Sequence, residues 1–251
     1  MIHAVLYDLD GVVVDSRTMV IDTLQDVART ALGTTPPRQQ VQHLAYLPPV
    51  RALAALGVHH AADVFDAHFD AAYARHAHKA AVVPGITAAM WRIRMAGCRQ
   101  AIVTLQRRHR VYLLDLGEVE DLVDTIVCFE DAPPKPAPDP IWLTLGRLGV
   151  ATDQACFVGD TASDIRAGHA AGVRTGGAVW GYRDADALTE AGADLLLLEP
   201  ADIVAMALGR PSVTVGYDFQ RHRAIREQPV SGGGHDGRAD TRGHGHGGAA
   251  S

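Results

Sequence analysis

The sequence predicts an α/β protein with a Rossmann-like parallel sheet flanked by helices and a small all-α cap inserted after the first strand. Two observations carry this prediction. Short apolar runs alternate with segments of helical periodicity, which is typical of parallel βαβ units. After the first run, residues 16–81 show helical periodicity and no convincing strand. The predicted core therefore comprises residues 1–15 and 82–209, and the predicted cap comprises residues 16–81.

Six apolar runs account for the predicted sheet. Each is short and nearly continuous, which is typical of strands buried on both faces by flanking helices. The first run stops abruptly at Asp8. The six predicted strands are His3–Tyr7, Gln100–Val103, Thr125–Cys128, Ala155–Val158, Arg174–Val179 and Asp194–Leu198.

Four helical segments separate the later runs. The first opens at Pro84-Gly85 and ends near Gly97, with proline near the start and glycine after the end, as helices commonly have. The other three predicted helices are Arg107–Leu116, Asp139–Leu148 and Ala162–Ala171. In the cap, apolar residues recur at helical spacing, and glycines and prolines divide the segment near residues 33–37, 48–49 and 57.

The end of the chain has a different composition. Residues 232–248 contain eight glycines and few apolar residues, so they cannot bury enough apolar surface to offset the loss of chain entropy. We therefore predict a disordered Gly/His-rich tail over residues 210–251. His235, His244 and His246 are expected to be solvated, with weak metal binding as the alternative.

Composition narrows the classes of partner. The net charge of −6 gives no electrostatic reason to expect nucleic acid as a partner, since such binding needs a basic face, although it is compatible with a local basic pocket for an anionic substrate. No leader-like segment opens the sequence and no apolar run is long enough to span a bilayer, so we expect a cytoplasmic protein without a membrane partner. The three cysteines, Cys98, Cys128 and Cys156, form no CxxC pair, and buried free thiols are expected. The oligomeric state is not predictable.

An acidic pair ends the first strand. Asp8-Leu9-Asp10-Gly11 lies at the strand's carboxyl end, where open α/β sheets bind ligands. Two converging carboxylates repel each other unless a cation or shared proton compensates, and Mg²⁺ binds carboxylates and phosphate oxygens. A carboxylate can also attack phosphorus to form an aspartyl-phosphate. Gly11 permits a tight turn. Taken alone, the segment is equally compatible with an ordinary acidic turn.

Two further candidates follow the next strands. Thr104 ends the second run, and its hydroxyl together with the next backbone N–H could bind phosphate oxygens; a helix cap is the alternative. Lys135 lies in the proline-rich segment Pro133-Pro134-Lys135-Pro136, which would hold its charge in place to neutralise phosphate. An exposed loop lysine is the alternative for this residue.

A second acidic pair follows the fourth run. Asp160 lies at the strand end, and Asp164 lies four residues later, in the first turn of the next predicted helix. This spacing places both side chains on one side of the turn. Acidic residues also stabilise helix N-termini, so a purely structural role for Asp164 is the competing interpretation.

Together these motifs resemble the haloacid dehalogenase superfamily of hydrolases. The resemblance rests on Asp8-x-Asp10-Gly11-Val12-x-x-Asp15-Ser16, then Thr104, then Lys135-Pro136, then Gly159-Asp160-x-x-x-Asp164, and it covers about residues 1–208. The helical insert after the first motif is similar to the cap of the phosphoglycolate phosphatase and β-phosphoglucomutase group. The segments Ala170-Ala171-Gly172-Val173 and Trp180-Gly181-Tyr182 resemble the phosphoglycolate phosphatase branch.

The resemblance implies a role for each residue. Asp8 would be the nucleophile and Asp10 the general acid and base, while Thr104 and Lys135 would hold the phosphoryl group. Asp8, the backbone carbonyl of Asp10 and Asp160 would ligate Mg²⁺, and Asp164 would support the metal site or the lysine. An acid at the Asp10 position favours phosphoryl transfer over dehalogenation, because a phosphate ester's leaving group needs a proton.

Substrate-binding residues are less evident. Leu105 follows Thr104 where phosphoglycolate phosphatases commonly carry Asn, although its backbone N–H can still donate. His43, Tyr46 and Arg51 flank the Pro48-Pro49 turn and are candidates for contacting the substrate beyond its phosphate. Arg107 and Arg108 could add charge at the rim. The alternative for each of these side chains is a solvent-exposed helix residue that does not contact the substrate.

The predicted function is hydrolysis of a small phosphorylated metabolite, of the phosphoglycolate or sugar phosphate type, by a Mg²⁺-dependent phosphatase. A phosphomutase of the β-phosphoglucomutase type would use the same acidic pair and remains an alternative, as does a non-catalytic binding protein on the same scaffold. A phosphonatase would need a cap lysine for a Schiff base, and the only lysine there is Lys79, near the cap's end.

Overall fold

The computed structural model describes residues 1–45, 47–181 and 185–209, and it contains a six-stranded parallel sheet. The predictions for Tyr46, Tyr182 and the tail of residues 210–251 lie outside these residues. The eight strands, in chain order, are β1 (Ala4–Tyr7), β2 (Val14–Asp15), β3 (Ala81–Val82), β4 (Arg99–Val103), β5 (Thr125–Val127), β6 (Ala155–Gly159), β7 (Arg174–Ala178) and β8 (Leu195–Leu197).

Helices alternate with the strands of the sheet, as the sequence predicts, and a further helix follows the last strand. The helices are α1 (Arg17–Leu32), α2 (Arg38–Leu44), α3 (Pro49–Ala55), α4 (Ala61–His76), α5 (Ile86–Met95), α6 (Arg108–Val111), α7 (Val119–Leu122), α8 (Asp139–Leu148), α9 (Ala162–Ala171), α10 (Ala185–Glu190) and α11 (Ala201–Leu208). Two short 3₁₀ helices cover Ala77–Lys79 and Thr152–Gln154. Among the described residues, no helix is both long and apolar enough to cross a membrane.

The strand order in the sheet is β5-β4-β1-β6-β7-β8. The first strand is therefore central, with parallel neighbours on both sides. All four β1 residues are buried, and successive side chains enter opposite hydrophobic clusters: Val5 and Tyr7 on one face, Ala4 and Leu6 on the other. All six predicted strands are present, and the parallel α/β fold is confirmed.

The insert consists of α1 to α4 and the first 3₁₀ helix. Helix α1 packs against α4, and the apolar cluster that contains Val5 and Tyr7 continues into the insert through Leu24 and Tyr73. Two short strands that the sequence did not predict flank the insert: Val14 pairs with Val82 and Asp15 with Ala81. Strands of two residues are too short to show a period of two. The division into core and cap domains stays a prediction.

One predicted helix is wrong in length. Of the segment Arg107–Leu116, only α6 is helical, and the chain continues through turns whose hydrogen bonds join residues three apart, such as Leu114 N to Val111 O. Asp115 then accepts a hydrogen bond from the backbone N–H of Gly117. Spacing between apolar residues did not distinguish these tight turns from an α-helix.

The cysteine prediction is confirmed. Cys98, Cys128 and Cys156 are all buried and carry free thiols. Burial raises the pKa of Cys156 to about 12, so this thiol stays protonated at neutral pH.

Candidate active site

The predicted motifs meet at the carboxyl edge of the sheet. Asp8 follows the central strand β1, Thr104 follows β4, and Asp160 follows β6. Because β4 and β6 are the two parallel neighbours of β1, their carboxyl ends lie side by side. Gly11 has a φ of 83°, in the left-handed region that favours glycine, and its N–H donates to Val14 O at 2.8 Å to close the loop after β1.

The buried side chain of Lys135 contacts the segments that end β1 and β4 and the start of α9. Its Nζ lies 2.9 Å from Asp8 Oδ1 and 2.6 Å from Asp164 Oδ1, and it donates to the carbonyl of Val103 at 3.0 Å. The residue is only 5% exposed. Burial alone would lower the pKa of Lys135, but the carboxylates of Asp164 and Asp8 outweigh burial and raise it above its ordinary value.

Three buried carboxylates lie close together here, and two of them contact this ammonium group. Asp8, Asp160 and Asp164 each offer an oxygen within 4.8 Å of the others. Burial raises the pKa of Asp8 to about 7, although the Lys135 charge acts in the opposite direction. One ammonium does not neutralise three carboxylates, and a hard divalent cation with oxygen ligands fits this set. These residues could therefore hold Mg²⁺.

Asp160 is fully buried, and the backbone at Gly181 passes close to its side chain. A Cβ atom added at Gly181 would lie 2.5 Å from Asp160 Oδ2 and 2.7 Å from the carbonyl oxygen of Gly11. Only glycine permits this approach. The neighbouring Trp180 fixes the same segment, because its indole N–H donates to Val12 O at 3.2 Å.

Asp164 combines both roles that the sequence left open. Its carboxylate accepts from the backbone N–H of Thr161 at 3.0 Å, while the Thr161 hydroxyl accepts from the Asp164 N–H, which is a capping box at the start of α9. Its other oxygen contacts Lys135. Gly159 makes room for this residue, since a Cβ there would lie 2.1 Å from Asp164 Cβ.

The side chain of Asp10 lies outside the cluster of three carboxylates. Its Oδ1 accepts a short hydrogen bond from Ser16 Oγ, and its Oδ2 accepts from Gln106 Nε2 at 2.9 Å. Burial raises the pKa of Asp10, and the hydrogen bonds from Ser16 and Gln106 act in the opposite direction. A backbone carbonyl contribution of Asp10 to metal binding stays a prediction.

Thr104 and Leu105 begin the loop after β4. Thr104 is buried, and its hydroxyl oxygen accepts from the Gln106 N–H at 3.0 Å, so it closes a local turn while its own proton remains available to a ligand. It does not cap α6, whose N-cap residue is Arg107. Leu105 is 46% exposed.

The predicted substrate contacts in the insert are not brought into this cluster. His43 lies near the end of α2 and Arg51 lies in α3, and both are exposed. Among the described residues, no hydrogen bond or ion pair joins either of them to Asp8, Asp10 or Lys135. Arg108 instead pairs with Asp131 at 2.5 Å. The roles of His43 and Arg51 stay predictions.

Sequence reasoning did not assign roles to Ser16, Gln106 and Gly181. Ser16 is the last residue of the first motif on which the family resemblance rests, and Gly181 lies in another segment that the resemblance includes. Gln106 carried a weaker signal, because the only local pointer to it is that Leu105 stands where related phosphatases commonly have Asn. The structure shows that a polar side chain does reach Asp10, from one position further along the loop.

Fold and site together define a hydrolase with a Rossmann-like core, a helical insert after the first strand, and an aspartate–lysine cluster at the sheet's carboxyl edge. A model of the haloacid dehalogenase-like hydrolase family matches residues 5–178. The chain belongs to this family.

Named relatives agree with that placement. The chain is 33% identical to a phosphoglycolate phosphatase of Rhodospirillum rubrum over 196 residues, covering 72% of this chain and 81% of the relative. It is 25% identical to the pyrophosphatase PpaX of Bacillus velezensis over 205 residues, covering 81% and 95%. The sequence-based prediction of a phosphatase of this family is confirmed.

Solved structures show the same fold. A Lactobacillus plantarum protein assigned as a phosphoglycolate phosphatase superposes with a TM-score of 0.72 at 27% identity, covering 82% of this chain and 99% of that one. A Thermotoga maritima protein assigned as a β-phosphoglucomutase gives a TM-score of 0.67 at 25% identity, covering 83% and 99%.

Proposed function

We propose that this protein is a Mg²⁺-dependent phosphatase that hydrolyses a small phosphorylated metabolite, of the phosphoglycolate or sugar phosphate type, through an aspartyl-phosphate at Asp8. The observation that carries the proposal is the buried ammonium of Lys135, 2.9 Å from Asp8 and 2.6 Å from Asp164. A fixed positive charge beside a carboxylate suits the approach of an anionic phosphoryl group, which a lone carboxylate would repel.

In the first step, the Asp8 carboxylate attacks phosphorus and the bond from phosphorus to the ester oxygen breaks. Both donors that contact Asp8, the Leu9 N–H at 2.8 Å and Lys135 Nζ, bind Oδ1. This supports Oδ2 as the attacking oxygen. Protonated Asp10 gives its proton to the leaving oxygen, and the alcohol departs.

In the second step, water attacks the phosphorus of the aspartyl-phosphate. Asp10, now ionised, takes a proton from that water, and the bond between phosphorus and Asp8 breaks to release inorganic phosphate. The raised pKa of Asp10 suits a group that must both give and take a proton near neutral pH. Thr104 and the Leu105 N–H would bind the oxygens of the phosphoryl group.

Magnesium would be held by Asp8, Asp160 and the Asp10 backbone carbonyl, with Asp164 supporting the site. When bound, it would supply charge neutralisation for the phosphoryl oxygens. The fit rests on three buried carboxylates within 4.8 Å of one another beside a single ammonium. The family's preference for this ion supports the same choice.

The substrate class rests on the insert and on the relatives. A helical insert beside the site would cover a small bound molecule and exclude water from it, as mobile lids do. Relatives named phosphoglycolate phosphatase favour a phosphate monoester, and those named pyrophosphatase PpaX make inorganic pyrophosphate a necessary comparison. His43 and Arg51 remain candidates for contacting the non-phosphate end.

The test is a panel of about a hundred phosphate esters plus pyrophosphate, scored for released phosphate with Mg²⁺ and with EDTA. We expect phosphate release from a small monoester, loss of release in EDTA and recovery with Mg²⁺. Asp8→Asn should lower the rate by about 10⁴-fold or more, as is usual for a nucleophile. Residual activity above about 1% in that folded variant would contradict the aspartyl-phosphate mechanism.

A phosphomutase is the second candidate, supported by the structural likeness to the Thermotoga maritima protein. A mutase would return the phosphoryl group of Asp8 to another hydroxyl of the sugar instead of to water. Incubation with a sugar phosphate separates the two functions. An isomeric sugar phosphate formed faster than free phosphate would favour the mutase.

A further inference from the structure

The loop after β4 carries a side chain that the proposed chemistry does not yet use. Gln106 is half-buried, and its backbone is fixed on both sides. Its N–H donates to Thr104 Oγ1 at 3.0 Å, and its carbonyl accepts from the Phe129 N–H at 3.0 Å. The side chain therefore starts from a rigid position between the phosphate-binding loop and the end of β5.

From that position the Gln106 amide reaches a residue 96 positions earlier in the chain. Nε2 donates to Asp10 Oδ2 at 2.9 Å, while Ser16 Oγ donates to Oδ1 of the same carboxylate. Donors from two separate segments thus fix the rotation of the Asp10 carboxylate about the Cβ–Cγ bond. Each carboxylate oxygen has a second lone-pair position, so protonated Asp10 can still donate from it to a leaving-group oxygen, and ionised Asp10 can still accept from a water.

We propose that Gln106 is a positioning residue that orients Asp10 toward the leaving-group oxygen, an inference that rests on the proposed phosphatase function. Gln106 acts through Asp10 and does not itself touch the reacting atoms. It couples the loop that binds the phosphoryl group to the residue that transfers the proton. Gln106, two residues after Thr104, is therefore a polar side chain of this loop that binds Asp10 and not the phosphate.

This role predicts a dependence on the leaving group. An alkoxide leaving group needs a proton as it departs, whereas p-nitrophenolate is stable as an anion and departs without one. Loss of Asp10 orientation should therefore slow the hydrolysis of an alkyl phosphate much more than that of p-nitrophenyl phosphate. A residue that only stabilises the loop would affect both substrates alike, because both use the same phosphoryl site.

The experiment compares kcat and KM of Gln106→Met and Gln106→Glu with wild type on these two substrates. Methionine keeps the length and removes the donor, and glutamate also adds repulsion toward Asp10. The alkyl phosphate is the one that wild type hydrolyses fastest in the panel. The matched control is Gln25→Met, since the Gln25 amide donates to Pro36 O in the insert at 2.8 Å.

For both Gln106 variants we expect kcat/KM on the alkyl phosphate to fall about 10-fold or more, carried by kcat with KM nearly unchanged. On p-nitrophenyl phosphate we expect a loss of less than about 3-fold, which also verifies that the variants are folded. Gln25→Met should match wild type on both substrates.

Equal losses on both substrates would overturn the assignment and leave Gln106 as a structural loop residue. An unchanged rate on the alkyl phosphate would overturn it as well. If wild type itself releases phosphate from neither substrate, the proposed function is wrong and the assignment of Gln106 falls with it. If wild type is active and the Gln106 variants lose the same factor in rate on both substrates, only the positioning role of Gln106 is rejected and the proposed phosphatase function stands.

Discussion

The charge balance around Lys135 is the main feature of the protein at the scale of single residues. Its ammonium is buried between Asp8 and Asp164, whose carboxylates lie near that of Asp160. Burial of a charge is tolerated only when partners compensate the lost hydration. Removing the lysine would leave three buried carboxylates without a cation from the protein, which is a much less stable arrangement.

Lys135→Met should therefore lower the free energy of unfolding by about 3 kcal/mol, measured by urea denaturation in EDTA. Without the ammonium, the pKa of Asp8 rises further above its value of about 7. The folded state then holds a proton that the unfolded chain releases, so the stability deficit relative to wild type should grow as the pH rises above about 7.

The matched control is Lys79→Met, because Lys79 pairs with Asp22 at 2.6 Å on the surface of the insert. That substitution should cost under about 1 kcal/mol, since a solvated ion pair contributes little. Similar, pH-independent losses in both variants would contradict the buried ion-pair account.

Gly181 gives a second prediction at this scale. A methyl group at position 181 would lie within 2.5 Å of Asp160 Oδ2, so Gly181→Ala should displace the predicted metal ligand. We expect Mg²⁺ affinity, measured by calorimetry, to fall by about 10-fold or more, as for other changes that misorient a ligand.

Gly146→Ala is the control for that substitution, because nothing lies within 4 Å of a Cβ added there in α8. It should leave Mg²⁺ affinity unchanged and stabilise the helix slightly. Wild-type Mg²⁺ affinity in Gly181→Ala would show that Asp160 does not serve the metal.

At the scale of elements, α4 of the insert is joined to α6 of the core by one buried arginine. Arg110 Nε donates to Asp70 Oδ1 at 2.6 Å, and its guanidinium carbon lies 4.6 Å from the ring centroid of Phe69. Phe65 and Tyr73 on the same helix also face this guanidinium. Because α6 begins shortly after Gln106, this contact links the insert to the loop after β4, which we propose binds the phosphoryl group.

Arg110→Met should loosen that link. We expect a loss of about 1–2 kcal/mol in unfolding free energy, from cation–π contacts and the ion pair, and faster amide hydrogen exchange in α4. Arg166→Met on the exposed face of α9 is the control and should change neither quantity. Unaltered exchange in α4 would show that Arg110 does not hold the insert.

The sequence predicted those features of the fold and site that are determined by a single short segment of the chain. Buried strands such as β1 are short apolar runs, and each motif lies where a run ends, so the strands and the meeting of Asp8, Lys135 and Asp160 were predictable. The residues after Val111 share the apolar spacing of a helix but form tighter turns. The contact from Gln106 to Asp10 spans 96 positions, and no local pattern reports a side chain's reach.

At the scale of the whole molecule, sheet topology assembles the site. The chain places β1 in the centre and then adds β4 and β6 on its two sides, so residues 8, 104 and 160 reach one edge despite their distance in sequence. The loop after β5 brings Lys135 to the same edge. The insert follows the first motif directly, which places its helices beside the proposed nucleophile, Asp8, without interrupting the sheet.

The most direct test of the central claim is to identify the phosphorylated residue. The protein is mixed with its best substrate and Mg²⁺, quenched in acid within the first turnover, digested, and analysed by mass spectrometry. We predict one phosphoryl group on the peptide that contains Asp8, located on that carboxylate and missing in Asp8→Asn. Rapid phosphate release with no phosphoryl group on Asp8 at any quench time would contradict the account.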